Sequence, residues 1–347
     1  MNEYSLAEIR LSDKRGLAEA DQLLREEGIR RDATLDYLAG LYDEHCNLIA
    51  VGGCFLNTLR CLAVNGAHRG EGLMSKIVSH LVEFQVQRGN SSLFLYTKPD
   101  NERLFSDLGF YEIARVPGQV LFMENRQRGF ACFLEHLALD KKPGRSCALV
   151  MNCNPFTLGH RYLVEQAAEN NDTTHLFAVS ENASLFPFPD RYAMIKAGCA
   201  DLRNVILHRT GSYMISNAVF PSYFLKNEDA VVEVQARLDL AIFAKIAAAL
   251  GVTRRYVGEE PFSQVTRLYN EIMLKALPEV GIECIVVPRK RLEGEPISAS
   301  RVRQLIHDDR MEEVRALVPP GTFDYFSTPA GRETAARIRA SSQVVHH

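Results

Sequence analysis

The period of the hydrophobic positions changes repeatedly along this chain, and each change predicts an element. Ser5 to Leu11 reads as a strand, Lys14 to Glu27 as a charged helix, and the apolar runs Leu48 to Phe55 and Leu59 to Val64 as strands. Leu73, Ile77, Val78, Leu81, Val82 and Phe84 then recur at helical spacing, and Phe130 to Leu139 is amphipathic. Farther on, five apolar runs alternate with helical patterns such as Leu238 to Leu250 and Gln264 to Leu277. The runs are Cys147 to Met151, His175 to Ser180, Val205 to His208, Tyr256 to Gly258 and Ile282 to Pro288. That rhythm predicts a parallel sheet, in which ligands gather at the carboxyl ends of the strands.

Lys141-Lys142-Pro143-Gly144-Arg145 is the clearest break between the two patterned halves. With 347 residues, two domains are expected, each with its own core. The pattern divides the chain into a first domain over 1–128, a linker helix and seam over 129–144, a second domain over 145–330 and a polar tail over 331–347. His346 and His347 in that tail read as a disordered end or a tag remnant.

Charge and cysteine usage narrow the function classes. A net charge of −3 with interspersed signs gives no basic face for nucleic acid. No apolar run approaches membrane-spanning length and no leader opens the chain, so no membrane partner is expected. The eight cysteines include no Cys-x-x-Cys pair and mostly lie in apolar stretches, which suits reduced core residues of a cytoplasmic protein.

The candidate chemistry begins at Asn152-Cys-Asn-Pro-Phe-Thr-Leu-Gly-His160, between the strand at Cys147 to Met151 and the helical pattern from Arg161. A strand that turns into a helix here gathers unpaired backbone N–H groups, the positive helix end and a histidine at one point, which suits a nucleotide phosphate. Far downstream, Ile297-Ser-Ala-Ser-Arg-Val-Arg303 opens another helix. Taken singly, His160 reads as a surface cap and Ser298 with Ser300 as an N-cap. Together, Thr157-Leu-Gly-His160 and Ile297 to Arg303 resemble, in order, the two motifs of the nucleotidyltransferase superfamily, whose members attack the α-phosphate of ATP. Ala299 stands where a second serine is common.

Each residue type suits a part of that chemistry. Gly159 lets backbone and nucleotide approach closely, while His160, and more weakly Thr157, can donate to an α-phosphate oxygen as charge develops. Arg303 with Ser298 and Ser300 would hold the β- and γ-phosphates. Asn154 and Phe156 would shape the loop and the adenosine pocket, with Asn152 fixing its turn, and Gly258 with Glu259, Glu260 and Pro261, at the active edge, would contact ribose or adenine or else make a plain turn. Arg191, Arg289, Lys290 and Arg291 are further basic residues able to approach phosphate, with solvated surface as the default for the last three. Mg²⁺ should accompany the triphosphate, but no carboxylate cluster marks its ligands.

In the first half, Asn65-Gly-Ala-His-Arg-Gly-Glu-Gly72 again joins a strand to a helix. It resembles the pyrophosphate loop of the GNAT acyltransferase fold, with Arg69, Gly70 and Gly72 at the anion and Ala67 where Gln or Arg is preferred. Asn101-Glu-Arg-Leu-Phe-Ser-Asp-Leu-Gly-Phe110 resembles that family's late helix and turn, covering about residues 1 to 128 together with the loop. Phe105 stands where many of these enzymes carry the tyrosine that protonates a departing thiolate; a thiol acceptor needs no such acid.

The fold class expected is therefore α/β, a GNAT-like α+β domain followed by a Rossmann-like nucleotidyltransferase domain with a five-stranded parallel sheet. The pairing, with the segments MNCNPFTLGHRYLVEQAA and PISASRVRQLI, resembles the citrate (pro-3S)-lyase ligase family. The resemblance implies an ATP-dependent, AMP-forming acid–thiol ligase. It would adenylate acetate and acetylate the thiol of the phosphoribosyl-dephospho-coenzyme A group on citrate lyase's acyl carrier subunit. The residues alone also admit an adenylyltransferase that builds a dinucleotide-type cofactor such as dephospho-CoA, or a nucleotide-sensing module without catalysis.

Overall fold

The computed structural model describes residues 4–181, 184–214, 220, 221, 223, 228–260 and 264–341. Contacts divide it into one unit of residues 1–133 and 219–241 and a second of 134–218 and 242–347.

The first unit is built on a seven-stranded sheet. Its elements are β1 (Ser5–Glu8), α1 (Lys14–Glu26), β2 (Tyr37–Tyr42), β3 (Leu48–Phe55), β4 (Thr58–Val64), α2 (Leu73–Gln87), β5 (Phe94–Thr97), α3 (Glu102–Asp107), β6 (Tyr111–Val116), β7 (Val120–Glu124) and the start of α4 (Gly129–Ala138). The strand order is β1-β2-β3-β4-β5-β7-β6. The α1 helix starts where the Asp13 side chain accepts from Arg15 N–H at 3.0 Å, and its Ala20, Leu23 and Leu24 join a buried cluster with Leu38 and Val51. Leu73, Ile77, Val78 and Leu81 of α2 pack with Ala50, Leu59 and Leu95. Every neighbouring pair is antiparallel except β4 with β5, which run parallel and pair only at Thr58–Phe94 and Leu59–Leu95. Beyond those pairs the two strands part and open a wedge.

The second unit alternates strands and helices: β8 (Ser146–Met151), α5 (Leu158–Glu169), β9 (Thr173–Ala178), α6 (Phe188–Gly198), β10 (Val205–Arg209), the part of α7 (Glu228–Leu250) from Ile242 onward, β11 (Arg254–Gly258), α8 (Gln264–Glu279) and β12 (Glu283–Val287). A small hairpin, β13 (Arg291–Leu292) and β14 (Glu295–Pro296), leads to α9 (Ala299–His307), α10 (Met311–Arg315), α11 (Pro320–Tyr325) and α12 (Pro329–Ala340). The expected five-stranded parallel sheet is present, in the order β10-β9-β8-β11-β12. The order reverses between β8 and β11, and these two pair only at Cys147–Arg254 and Ala148–Arg255. Their carboxyl ends therefore separate, which makes a ligand-sized crevice at the switch point.

Three expectations about organisation need correction. The segment 331–347 is no simple polar tail: residues through Ala340 belong to α12, capped by Thr328 and burying Ala335 and Ile338 in the second core. Its few contact residues are small or isolated among charges, so the apolar stripe was hard to see. Residues 219–241 group with the first unit although they follow β10, because chain order does not fix spatial order. The Lys141–Arg145 stretch lies within the second unit, and the division falls inside α4. Arg145 N–H donates to the Asp172 carboxylate at 2.7 Å, so the stretch is a tethered turn. Pro261, His346 and His347 lie outside the described residues. Among the described residues, no helix is long and apolar enough to cross a membrane.

Candidate active site

The crevice between the parted ends of β8 and β11 encloses about 240 Å³. It is lined by Asn152, Thr157, Gly159, His160, Gly258 and Ser298 of the expected set, with Glu259, Glu260, Arg289 and Lys290 of the weaker candidates. Residues more than 130 positions apart meet because β8 leads into the α5 start while the chain after β12 leads into the α9 start. The junction is tight. A Cβ on Gly159 would come within 2.7 Å of the Ile297 carbonyl oxygen, so glycine is required where the first motif touches the second. That contact, beside the closeness to nucleotide first expected of it, explains the residue.

His160 is oriented by its own helix start. Thr157 N–H donates to His160 Nδ1 at 3.1 Å while the Thr157 hydroxyl accepts from His160 N–H at 3.3 Å, a reciprocal cap. A backbone N–H can only donate, so Nδ1 carries the lone pair and the neutral ring holds its proton on Nε2. Burial, with the positive charges of Arg289 and Arg303, pushes the His160 pKa down to about 4. The Phe156 ring stacks on the imidazole at 5.9 Å between centroids. The imidazole is thus a neutral, fixed N–H donor lining the crevice. Thr157, 1% exposed, orients it through the cap.

Four expected residues lie behind the crevice wall instead of lining it. Arg303 is 3% exposed and donates to the Asn154 carbonyl at 2.6 Å and to Ser300 Oγ at 3.2 Å. Burial lowers its pKa to about 10. Asn154 is itself buried, its side-chain oxygen accepting from Phe186 N–H at 3.1 Å, and Phe156 lies in the core. Arg303 therefore braces the motif loop from beneath, with Ser300 and Asn154 as its partners. Arg191 does the same from the other side: fully buried, it donates to the Asn152 carbonyl and Oδ1, both at 2.7 Å, and to the Val179 and Phe186 carbonyls. Both guanidiniums donate to backbone carbonyl oxygens that the loop between strand and helix leaves without ladder partners. Of the arginines expected near phosphate, Arg289 lines the crevice, donating to the Glu259 carbonyl at 2.7 Å and pairing with Glu260 at 2.5 Å. Tyr162 and Thr266 also line it and were missed. Tyr162 could have been found from its place in the first turns of α5, whereas Thr266 gave no signal.

Arg303→Ala is expected to cost about 2 kcal/mol or more of stability, the scale of losing a charged donor to a buried carbonyl. Arg301→Ala is expected to cost less, because no described acceptor meets the Arg301 Nη1. Thermal melts of the two variants check this. An unchanged melt for Arg303→Ala beside a raised Michaelis constant for ATP would return Arg303 to the phosphates.

In the first unit, the wedge between β4 and β5 encloses about 690 Å³ and is lined by Arg69, Gly70, Gly72, Tyr96, Lys98, Phe105 and Tyr223, among others. Gly70 and Gly72 have φ of +87° and +73°, a region that side chains with a Cβ seldom adopt. Arg69 pairs with Glu27 at 2.5 Å at the rim. Phe105 is 3% exposed and brings no hydroxyl.

Comparisons with known proteins agree on both halves. Residues 146–326 match the family described as citrate lyase ligase C-terminal domain, and residues 4–112 match the acetyltransferase (GNAT) family. The chain is 40% identical over 329 residues to citrate (pro-3S)-lyase ligase of Klebsiella pneumoniae, covering 93% of this chain and 96% of that one. It is 39% identical over 325 residues to the same-named protein of Escherichia coli K12, covering 91% and 92%, and 35% identical over 323 residues to that of Haemophilus influenzae, covering 90% and 96%.

Proposed function

This chain belongs to the citrate (pro-3S)-lyase ligase family, and we propose that it is an AMP-forming acid–thiol ligase whose acid is acetate and whose thiol belongs to the prosthetic group of citrate lyase's acyl carrier subunit. The observation that carries the reading is the meeting of the two motifs around one neutral histidine at the parted ends of β8 and β11.

An acetate oxygen attacks the α-phosphorus of ATP, and the bond to the β-phosphate oxygen breaks as pyrophosphate leaves with the electron pair. His160 Nε2–H donates to a nonbridging α-oxygen as charge builds there. The first-turn N–H groups of α5 and α9 add to the positive potential at the crevice, and Arg289 and Lys290 neutralise the polyphosphate. Asn152, Gly159, Gly258 and Ser298 shape the nucleotide seat. In the second step the carrier thiolate attacks the acetyl carbonyl carbon, a C–S bond forms, and the C–O bond to AMP breaks. The thiol proton goes to water. Gly70 and Gly72, with Arg69 at the rim, seat the phosphate of the pantetheine arm. Mg²⁺ would enter with the triphosphate as part of the substrate and would neutralise charge on the leaving pyrophosphate. Among the described residues, no group of three or more His, Cys, Asp or Glu side chains could hold a metal ion, so no protein ligand is assigned. The eight unpaired cysteines suit work in the reducing cytoplasm.

The test is incubation with ATP and a panel of small carboxylates, scoring AMP and acetylated carrier. Acetate should give both. AMP formation without any carboxylate preference, or a dephospho-CoA-like product from a pantetheine phosphate, would overturn the reading.

Because His160 already sits neutral, acetate-dependent pyrophosphate exchange should show no loss from its titration between pH 8 and about 5, and a fall only toward its pKa near 4. In the unfolded chain the same group titrates near its ordinary ~6.5. The unfolded chain therefore takes up a proton first, and folding stability drops as pH falls from that value toward 4. A pH–rate limb centred near 6.5 that vanishes in His160→Gln would contradict the neutral assignment.

A further inference from the structure

Glu260 lines the crevice, yet adenylation as derived above gives it no task, and a carboxylate beside an anion seat lowers the potential that attracts phosphate. Its place is built by the ends of β11 and β12. Their pairing continues past Gly258, where Glu259 N–H donates to the Val287 carbonyl at 2.9 Å. Arg289, just beyond β12, turns back and donates from Nε to the Glu259 carbonyl at 2.7 Å, while its Nη2 donates to Glu260 Oε2 at 2.5 Å. The Asn270 side chain of α8 donates to the Gly258 carbonyl at 3.1 Å, so the backbone leading to Glu260 is braced at both Gly258 and Glu259. Lys290 ties the same stretch to the second motif, its carbonyl accepting from Ile297 N–H at 2.9 Å.

These contacts fall on one side of the guanidinium. Nε and Nη2 form one edge of the planar fork, and Nη1 with Nη2 forms its end, a pair of donors that matches two oxygens of a phosphate. Glu259 and Glu260 take the edge, and among the described residues nothing is bonded to Nη1. A mobile arginine loses rotamer freedom when it grips a phosphate, and one already clamped along its edge loses less. Arg289 also stands close enough to His160 for its charge to act on the imidazole, and the β- and γ-phosphates of ATP extend from the α-phosphate at that imidazole. We propose that Glu260 is a positioning residue: with the Glu259 carbonyl it holds the Nε–Nη2 edge of Arg289 and so presents the end of the guanidinium to the β- and γ-phosphates. This rests on the crevice being the seat of ATP. A carboxylate that merely quenched the Arg289 charge would have the opposite effect on affinity.

The full-length protein is titrated with α,β-methylene-ATP, whose α–β bridge does not break, and with AMP, both at one Mg²⁺ concentration. Glu260→Ala should weaken binding of the ATP analogue about tenfold, the scale of one charge-assisted hydrogen bond, and should leave AMP, which lacks the outer phosphates, unchanged. Glu260→Gln keeps an acceptor for Nη2 and should recover most of the loss. Glu260→Asp keeps the charge but withdraws it by one methylene, so it too should weaken the analogue and not AMP; it decides the matter if Glu260→Ala loses its folded circular dichroism signal. Arg289→Ala should lose at least as much, and adding Glu260→Ala to it should cost nothing further. An analogue bound more tightly by Glu260→Ala or Glu260→Asp would show a carboxylate that only quenches, and a loss shared equally by AMP would show a loop merely disturbed; either overturns the positioning role. A wild-type protein that binds neither nucleotide sinks the ATP reading of the crevice and this inference with it.

Discussion

His160→Ala is expected to lower acetate-dependent pyrophosphate exchange by roughly two to three orders of magnitude, the cost of removing one preorganised donor to developing charge. The substitution also removes a structural contact, because His160 Nδ1 accepts the Thr157 N–H at the start of α5. Losing that cap costs about 1 kcal/mol of stability, while two to three orders of magnitude correspond to about 3–4 kcal/mol of barrier. The catalytic effect should therefore dominate. His160→Gln separates the two, since a glutamine at the third helical position can reach back to the same backbone N–H but does not place a donor where Nε2 sits. Gln and Ala variants equally slow, with the Gln variant melting closer to wild type, would assign the loss to the donor. Near-wild-type exchange in His160→Ala would remove the imidazole from the mechanism.

What the sequence made legible follows from what a local pattern can carry. The five parallel strands were readable because Cys147 to Met151 and its counterparts are short apolar runs between helical stretches, and periodicity is local. His160 and Ser298 were readable because a helix start is a local feature with its own residue preferences. Direction was not. Arg303 and Arg289 look alike in a sequence, yet one is 3% exposed beneath the Asn154 carbonyl and the other lines the crevice. Which of them faces a ligand depends on how the α9 helix packs against the motif loop, a tertiary property. Phe156 shows the same limit: its place in the motif suggested adenosine, whereas it packs in the core and supports His160 by stacking.

Both candidate sites also share a device that no residue pattern announces. In each unit one parallel strand pair stops pairing after two positions, β4 with β5 and β8 with β11, and a cavity opens where the strands part. In each, a loop from one of the parting strands to a helix lines that opening, with Gly70 and Gly72 in one and Thr157 and Gly159 in the other. The glycines mark the loops, but the parting itself is set by the twist and packing of the whole sheet.

Replacing both Gly70 and Gly72 with Val tests whether the wedge carries the second half-reaction. Nothing lies within 4 Å of a Cβ built at either position, so crowding is not the reason for glycine. The reason is conformational: φ values of +87° and +73° are strained for any side chain with a Cβ and most strained for a β-branched one. The loop should relax to negative φ and withdraw its N–H groups from the phosphate they are proposed to hold. Acetate-dependent pyrophosphate exchange should survive, since that chemistry uses residues after β8, while acetylation of the carrier thiol should fall by at least about tenfold, the loss of one or two charge-assisted hydrogen bonds. A circular dichroism spectrum and a melt close to wild type must accompany the assay, because a misfolded first unit would give the same loss. A folded double variant that acetylates the carrier at the normal rate would show that the GNAT unit serves structure or docking and that the arm reaches the adenylate without it.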